Sequence, residues 1–508
     1  MTPIPRCVSR LLSRLTIPGG GAFNYSYNTR NLLGSVTDPD SVQVTFTYDD
    51  GGRRTRVTRP GSYIEYVYNA RDWITAVRNR TTGGTVRYDA LYYYNDGSLW
   101  DHTGNPLKRV ENFGGSDFTT TLRYDNVYRE TEETLRDSGD VVQYTHLYAY
   151  DEVGNRIVRN DGGSPPYLGY GYDANNKLTS TRPVGGGPPG PITANFYYDG
   201  AGNMTSVTGT EFGSKTLTYD DESRLSSIAY GAVTDTYTYN WQGLRTRAYL
   251  NGTWYRYLYN GERVLQELTN AGGVNATYTT ENDSYYGALL HLKRATGESR
   301  FPLYDEIGSA RGLVDASGVV TDTYDMDTFG RPVASTGSTP NPYRYGAAWG
   351  YMSDPSGFLQ LGARYYWPEV GRFVSQDPEG EGINWYAYVR NRPTARIDPE
   401  GLKTVAECRE DYFDSLYDCD MTSGMAQSVI AGGAIACAAT GALSPAAAAG
   451  YAIGTGGVIA QNAYCRWKAR RELRKCLRGA DRPKGRPCPR RGRPDNRMGA
   501  RPGAYRYD

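Results

Sequence analysis

The sequence predicts a mainly β protein: repeated hairpins stacked into one spiralling sheet, followed by a small helical unit. Three observations carry this reading. The 508 residues include 46 Tyr and 61 Gly but only 11 Phe. A Tyr followed by Asp or Asn recurs through the first 300 residues. Beyond residue 402 the composition changes abruptly to cysteines, an uncharged Ala/Gly run and a basic end. Tyr and Thr favour pleated strands, while Gly, Asn and Asp favour tight turns. A mean hydropathy of -0.62 argues against one compact apolar core. The length fits several domains or a repeat array. A net charge of +1 gives no whole-chain case for a nucleic-acid partner.

Residues 1–21 form a basic lead without a continuous apolar segment, so no signal peptide is expected. Export would then follow a signal-peptide-independent route from the cytoplasm to the surface or the medium, unless the native start lies upstream of Met1.

Residues 22–300 carry the repeats. The dipeptide begins at Tyr27, Tyr48, Tyr68, Tyr88, Tyr124, Tyr150, Tyr172, Tyr198, Tyr219, Tyr239 and Tyr259. Many neighbours stand roughly 20–22 residues apart, a period typical of stacked repeats. In each unit a strand ends in Tyr, the Asp or Asn opens a turn by accepting backbone N–H bonds, and Gly supplies a left-handed position. One hairpin cannot bury its own face, so the units must stack. Gly/Pro-rich stretches near 162–166 and 185–191 read as loops between repeats. His102, His146 and His291 are scattered without ligand spacing and read as ordinary strand or loop residues.

Residues 301–402 form a distinct closing segment containing IGSARGLVD, FGR, GRF, Asp377-Pro378, NWYAYVRNRP and IDPEGL. With the repeats, these motifs resemble the rearrangement-hotspot (RHS) and YD-repeat family over roughly residues 22–402. The resemblance implies a β-shell, closed by the RHS repeat-associated core, around a variable C-terminal domain. It also implies an aspartyl self-protease cutting after the Leu of DPxGL, here Leu402–Lys403. Pro393, Pro399 and Gly401 are its signature residues. Such proteolysis needs two carboxylates sharing a proton, one activating water and the other protonating the carbonyl. The resemblance assigns these roles to Asp377 and Asp398, with Arg372 orienting a carboxylate or the scissile carbonyl. Three departures stand out: Arg392 in the usual Asn-Asn-Pro, Trp367 for the usual Asp, and a spacer about two residues short after the first Asp-Pro.

Residues 403–508 hold six of the seven cysteines. Cys408 to Cys419 and Cys465 to Cys476 span equal intervals centred on Ala442. An interval of eleven returns to nearly the same helix face, roughly 20° off. An antiparallel hairpin over 403–478 would pair Cys408 with Cys476 and Cys419 with Cys465 in an oxidising compartment. No metal site or cofactor is expected, because this region lacks His and any CxxC. Residues 421–464 carry no charge and split into two arms of bilayer-spanning length. Residues 479–508 read as a basic disordered tail. Three readings stay open, in this order: a membrane-active toxin, a structural appendage, and a nucleic-acid-directed toxin. The resemblance implies the cargo itself, an immunity protein and a secretion machine as partners, with interbacterial competition as the role.

Overall fold

The computed structural model describes residues 12–401 apart from 19–20, 96–100, 102, 186, 283–287, 379, 381–382 and 400. These belong to the first of two units, Met1–Glu407. Leu402, Lys403, the four cysteines expected to pair, the arms at 421–464 and His102 lie outside the described residues.

The repeats form a 29-stranded antiparallel sheet. Each strand pairs with the next in sequence, from Arg14–Thr16 to Pro332–Thr336. The sheet therefore continues past Arg300, and the first third of the closing segment extends the repeats. Among the described residues the only helices are two short 3-10 turns, at Ala347–Trp349 and Val389–Asn391.

One turn rule builds most hairpins. The Asp or Asn side chain accepts the N–H groups two and four residues on, as at Asp125 (Val127 3.0 Å, Arg129 2.9 Å) and Asp220 (Glu222 3.1 Å, Arg224 2.9 Å). The third residue after it takes positive φ. This is often Gly, as at Gly52 and Gly202, but Asn31, Tyr128, Asn176 and Ser223 also do so. Where the fourth residue is Arg, its guanidinium closes on the other carboxylate oxygen at 2.6 Å, as in Arg53–Asp49 and Arg224–Asp220.

The Tyr explains the rarity of Phe. Its hydroxyl donates to the carbonyl at or next to the start of the preceding strand: Tyr48 to Leu33 at 2.8 Å, Tyr219 to Met204 at 2.9 Å, Tyr259 to Arg245 at 2.9 Å. Tyr88 does not play this part. It lies buried within the strand Val86–Tyr93 with its hydroxyl on Glu111, and Tyr94 makes the repeat contact, to the Ile74 carbonyl. The turn acceptor that follows Tyr94 is Asp101, whose Oδ1 takes the N–H groups of Thr103 (2.7 Å) and Asn105 (2.8 Å) and whose own N–H donates to the Tyr94 carbonyl at 2.9 Å.

The sheet curls so that its early strands meet later ones. Arg54 pairs with Glu281, Asn79 donates to the Tyr304 carbonyl, and Asp38 contacts His291. Against its buried face lies a small four-stranded sheet, Met352–Ser353, Leu359–Leu361, Arg364–Trp367 and Arg372–Phe373. Trp367 packs there on Phe196, Phe212 and Phe358, which gives an apolar residue at that position its reason. Arg392 likewise has a place, with Nη2 3.2 Å from the side-chain oxygen of Asn105.

Candidate active site

The closing segment returns twice to the strand Arg364–Trp367. Arg364, at the mouth of its hairpin, is buried to 4% exposure and lies over the Phe373 ring, 3.6 Å from its centroid. Asp377 and Asp398 converge on it. Nη2 of Arg364 lies 3.1 Å from Oδ2 of Asp398 and 3.5 Å from Oδ2 of Asp377. Both carboxylates are buried, at 3% and 9% exposure.

The rest of the guanidinium is equally committed. Nη1 donates to the Trp385 carbonyl at 3.1 Å, which also accepts the Asp377 N–H at 3.0 Å. Nε donates to the carbonyl of Gly401. One side chain thus fixes both acids and the backbone immediately before Leu402. Arg suits the task because its planar fork aims several donors at once.

Gly401 itself is required by geometry. It sits at φ 61°, and a Cβ there would lie 2.3 Å from the carbonyl oxygen of Leu361. Only glycine lets the chain press onto the Arg364 hairpin. The Asp398 N–H donates to the Tyr351 hydroxyl at 2.7 Å, and that hydroxyl lies 3.3 Å from that of Tyr388. Burial pushes the Tyr351 hydroxyl well above the usual range, so it stays neutral beside the acids.

Arg372 has other partners. Its guanidinium reaches Asn155 at 3.4 Å and the Asn176 carbonyl at 2.5 Å, and it lies over the rings of Tyr172 and Tyr386. It braces the segment against the repeats, and Arg364 occupies the position between the acids. No local motif singles out Arg364: its partner Asp398 lies 34 residues away. Pro393 and Pro399 flank the turns that carry Thr394 and Asp398, and Thr394 anchors to Tyr124 at 2.9 Å. Among the described residues no cluster of three or more His, Cys, Asp or Glu could hold a metal ion.

Fold and site together define a repeat-hairpin β protein with a terminal carboxylate pair. The family model described as RHS Repeat matches residues 27–64. Several of its relatives are named as toxins. It is 28% identical over 400 residues to the tRNA nuclease WapA of Bacillus subtilis (strain 168), covering 75% of this chain and 16% of that protein. It is 27% identical over 414 residues to the toxin subunit YenC1 of Yersinia entomophaga, covering 75% and 40%. It is 24% identical over 420 residues to the toxin protein Tse5 of Pseudomonas aeruginosa, covering 77% and 28%. The chain thus spans well under half the length of these relatives. Among solved structures, one titled TcdB2-TccC3-TEV superposes with a TM-score of 0.55 at 18% identity, over 78% of this chain and 21% of that one. At that identity the match concerns the fold.

Proposed function

We propose that the chain is the repeat shell and self-cleaving closing segment of a secreted RHS-type toxin, with residues 403–508 as its cargo. The observation that carries this is the convergence of Asp377, Asp398 and the Gly401 carbonyl on the single side chain of Arg364. Two buried carboxylates brought to one guanidinium nitrogen are the arrangement that an aspartyl protease needs, in which the two acids share one proton. Water attacks the Leu402 carbonyl carbon while one carboxylate takes its proton and the other acid protonates the carbonyl oxygen. Collapse breaks the bond to Lys403, whose nitrogen takes up the proton. The reaction occurs once per chain.

Delivery to competing bacteria and an immunity partner rest on the toxin names of the relatives. For the cargo, the uncharged arms at 421–464 favour membrane insertion, with Cys408–Cys476 and Cys419–Cys465 stapling a helical hairpin. The nuclease name of WapA supports the nucleic-acid-directed alternative. Self-cleavage is tested by the intact mass of the purified full chain, with N-terminal sequencing of any small fragment. A fragment beginning at Lys403 is expected. A single uncut chain would reduce the closing segment to a structural plug.

A further inference from the structure

Away from the carboxylate pair, the curl of the sheet brings together an acid, an imidazole and a hydroxyl in line. Asp38 follows the strand Leu33–Thr37 and uses Oδ1 as a turn acceptor for the N–H groups of Asp40 (2.9 Å) and Val42 (2.8 Å). Its other oxygen, Oδ2, is left to face the far end of the sheet. There it accepts the Thr279 hydroxyl at 3.1 Å and lies 2.6 Å from Nδ1 of His291. Nε2 of His291 is in turn 2.5 Å from Oγ of Ser299 on the neighbouring strand.

The polarity of this chain is set by Asp38. A carboxylate oxygen can only accept, so Nδ1 is the donor to Asp38, and in the neutral ring Nε2 is then the acceptor for the serine hydroxyl. The ring is held by stacking on Phe301 (centroids 4.8 Å apart, 15° between planes). Acid and imidazole are buried, at 2% and 1% side-chain exposure, whereas Ser299 is only partly buried. The acid and imidazole are thus shielded from water, and the relay ends on a partly buried serine. His146 offers a contrast: its Nε2 receives Nη2 of Arg331 at 2.9 Å, and no serine hydroxyl is hydrogen-bonded to its ring among the described residues.

We propose that Ser299 is an activated nucleophile for ester carbonyls, with His291 as its general base and Asp38 as the positioning residue. The hydroxyl oxygen attacks the carbonyl carbon as its proton passes to Nε2. That proton then leaves with the alkoxide as the ester C–O bond breaks, giving an acyl-serine that water hydrolyses. A fluorophosphonate probe follows the same first step, with phosphorus attacked and fluoride expelled.

The test incubates the folded full chain with that probe and reads the adduct by intact mass and peptide mapping. The expected result is one adduct on Ser299, lost in Ser299→Ala, lost on denaturation in urea, and formed at least roughly 100-fold more slowly in His291→Gln, the scale of a general base. Melting curves establish that the variants are folded. If His291→Gln does not fold, native against urea-treated wild type still decides. A folded wild type unlabelled at Ser299, labelling that persists in urea, or an unchanged rate in His291→Gln would overturn the proposal and leave the cluster as a brace between sheet ends.

Discussion

Two buried arginines serve the small sheet of the closing segment, and they differ in charge count. Arg245, on the strand Arg245–Leu250, meets one acid: Nη1 lies 3.0 and 2.7 Å from the two oxygens of Asp354 and 3.0 Å from the Tyr365 hydroxyl. Its charge is matched one to one, between the rings of Tyr237 and Tyr257. Arg364 meets two acids and a carbonyl next to the expected scissile bond. The ingredients are alike and the stoichiometry is not. A single acid held bidentate is a brace, whereas two acids brought to one guanidinium nitrogen are placed to share a proton.

The comparison can be broken most sharply at Arg364. Arg364→Lys keeps the charge but loses the fork that reaches both acids and Gly401. Self-cleavage, followed by mass against time, is expected to slow by at least roughly 100-fold, the scale of misplacing a reacting group. Arg245→Met should leave cleavage chemistry intact but strand Asp354 as a buried acid without its cation. Removing one partner of a buried pair costs about 3–5 kcal/mol, to be read from the midpoint of urea unfolding.

A third site sharpens the role of charge balance through pH. Burial pushes the Asp305 carboxyl up to about 6, with Arg311 and Arg109 pulling the other way. A raised folded-state value means that the folded chain holds the proton more tightly. Its stabilising contribution is full below the ordinary Asp range near 3.9 and is lost as pH rises through about 6. Asp305→Asn keeps the turn acceptor for Ser309 and removes the charge. Its melting temperature should match the wild type near pH 4 and exceed it above pH 7. A shift of that size corresponds to about 3 kcal/mol at most. The smallest effect is expected in the repeats. Tyr219→Phe removes the bond to the Met204 carbonyl and should cost about 1 kcal/mol.

What was legible follows the range of the interactions. Turn chemistry is local: an Asp or Asn accepting from residues two and four positions on leaves its mark within five residues, so the hairpins could be placed from Tyr-Asp and Tyr-Asn pairs. Tyr88 misled because Tyr-Asp also occurs inside a strand, where Tyr88 serves Glu111. Asp377 and Asp398 were marked by motif, but nothing nearby in sequence favours Arg364 over Arg372. Both lie on short strands beside aromatic residues, and only the fold decides that one faces the acids and the other Asn155 and Asn176. The curl that joins Asp38 to His291 across 253 positions left no local sign at all.

The most direct test of the central claim compares the intact masses of wild type, Asp377→Asn and Asp398→Asn, each confirmed folded by melting. Asparagine keeps shape and hydrogen bonding but can neither take nor give the proton. The account predicts a fragment beginning at Lys403 in the wild type and uncut chains in both variants. The same fragment from either variant would show that the two acids on Arg364 are a brace like Asp354, and that the cut has another cause.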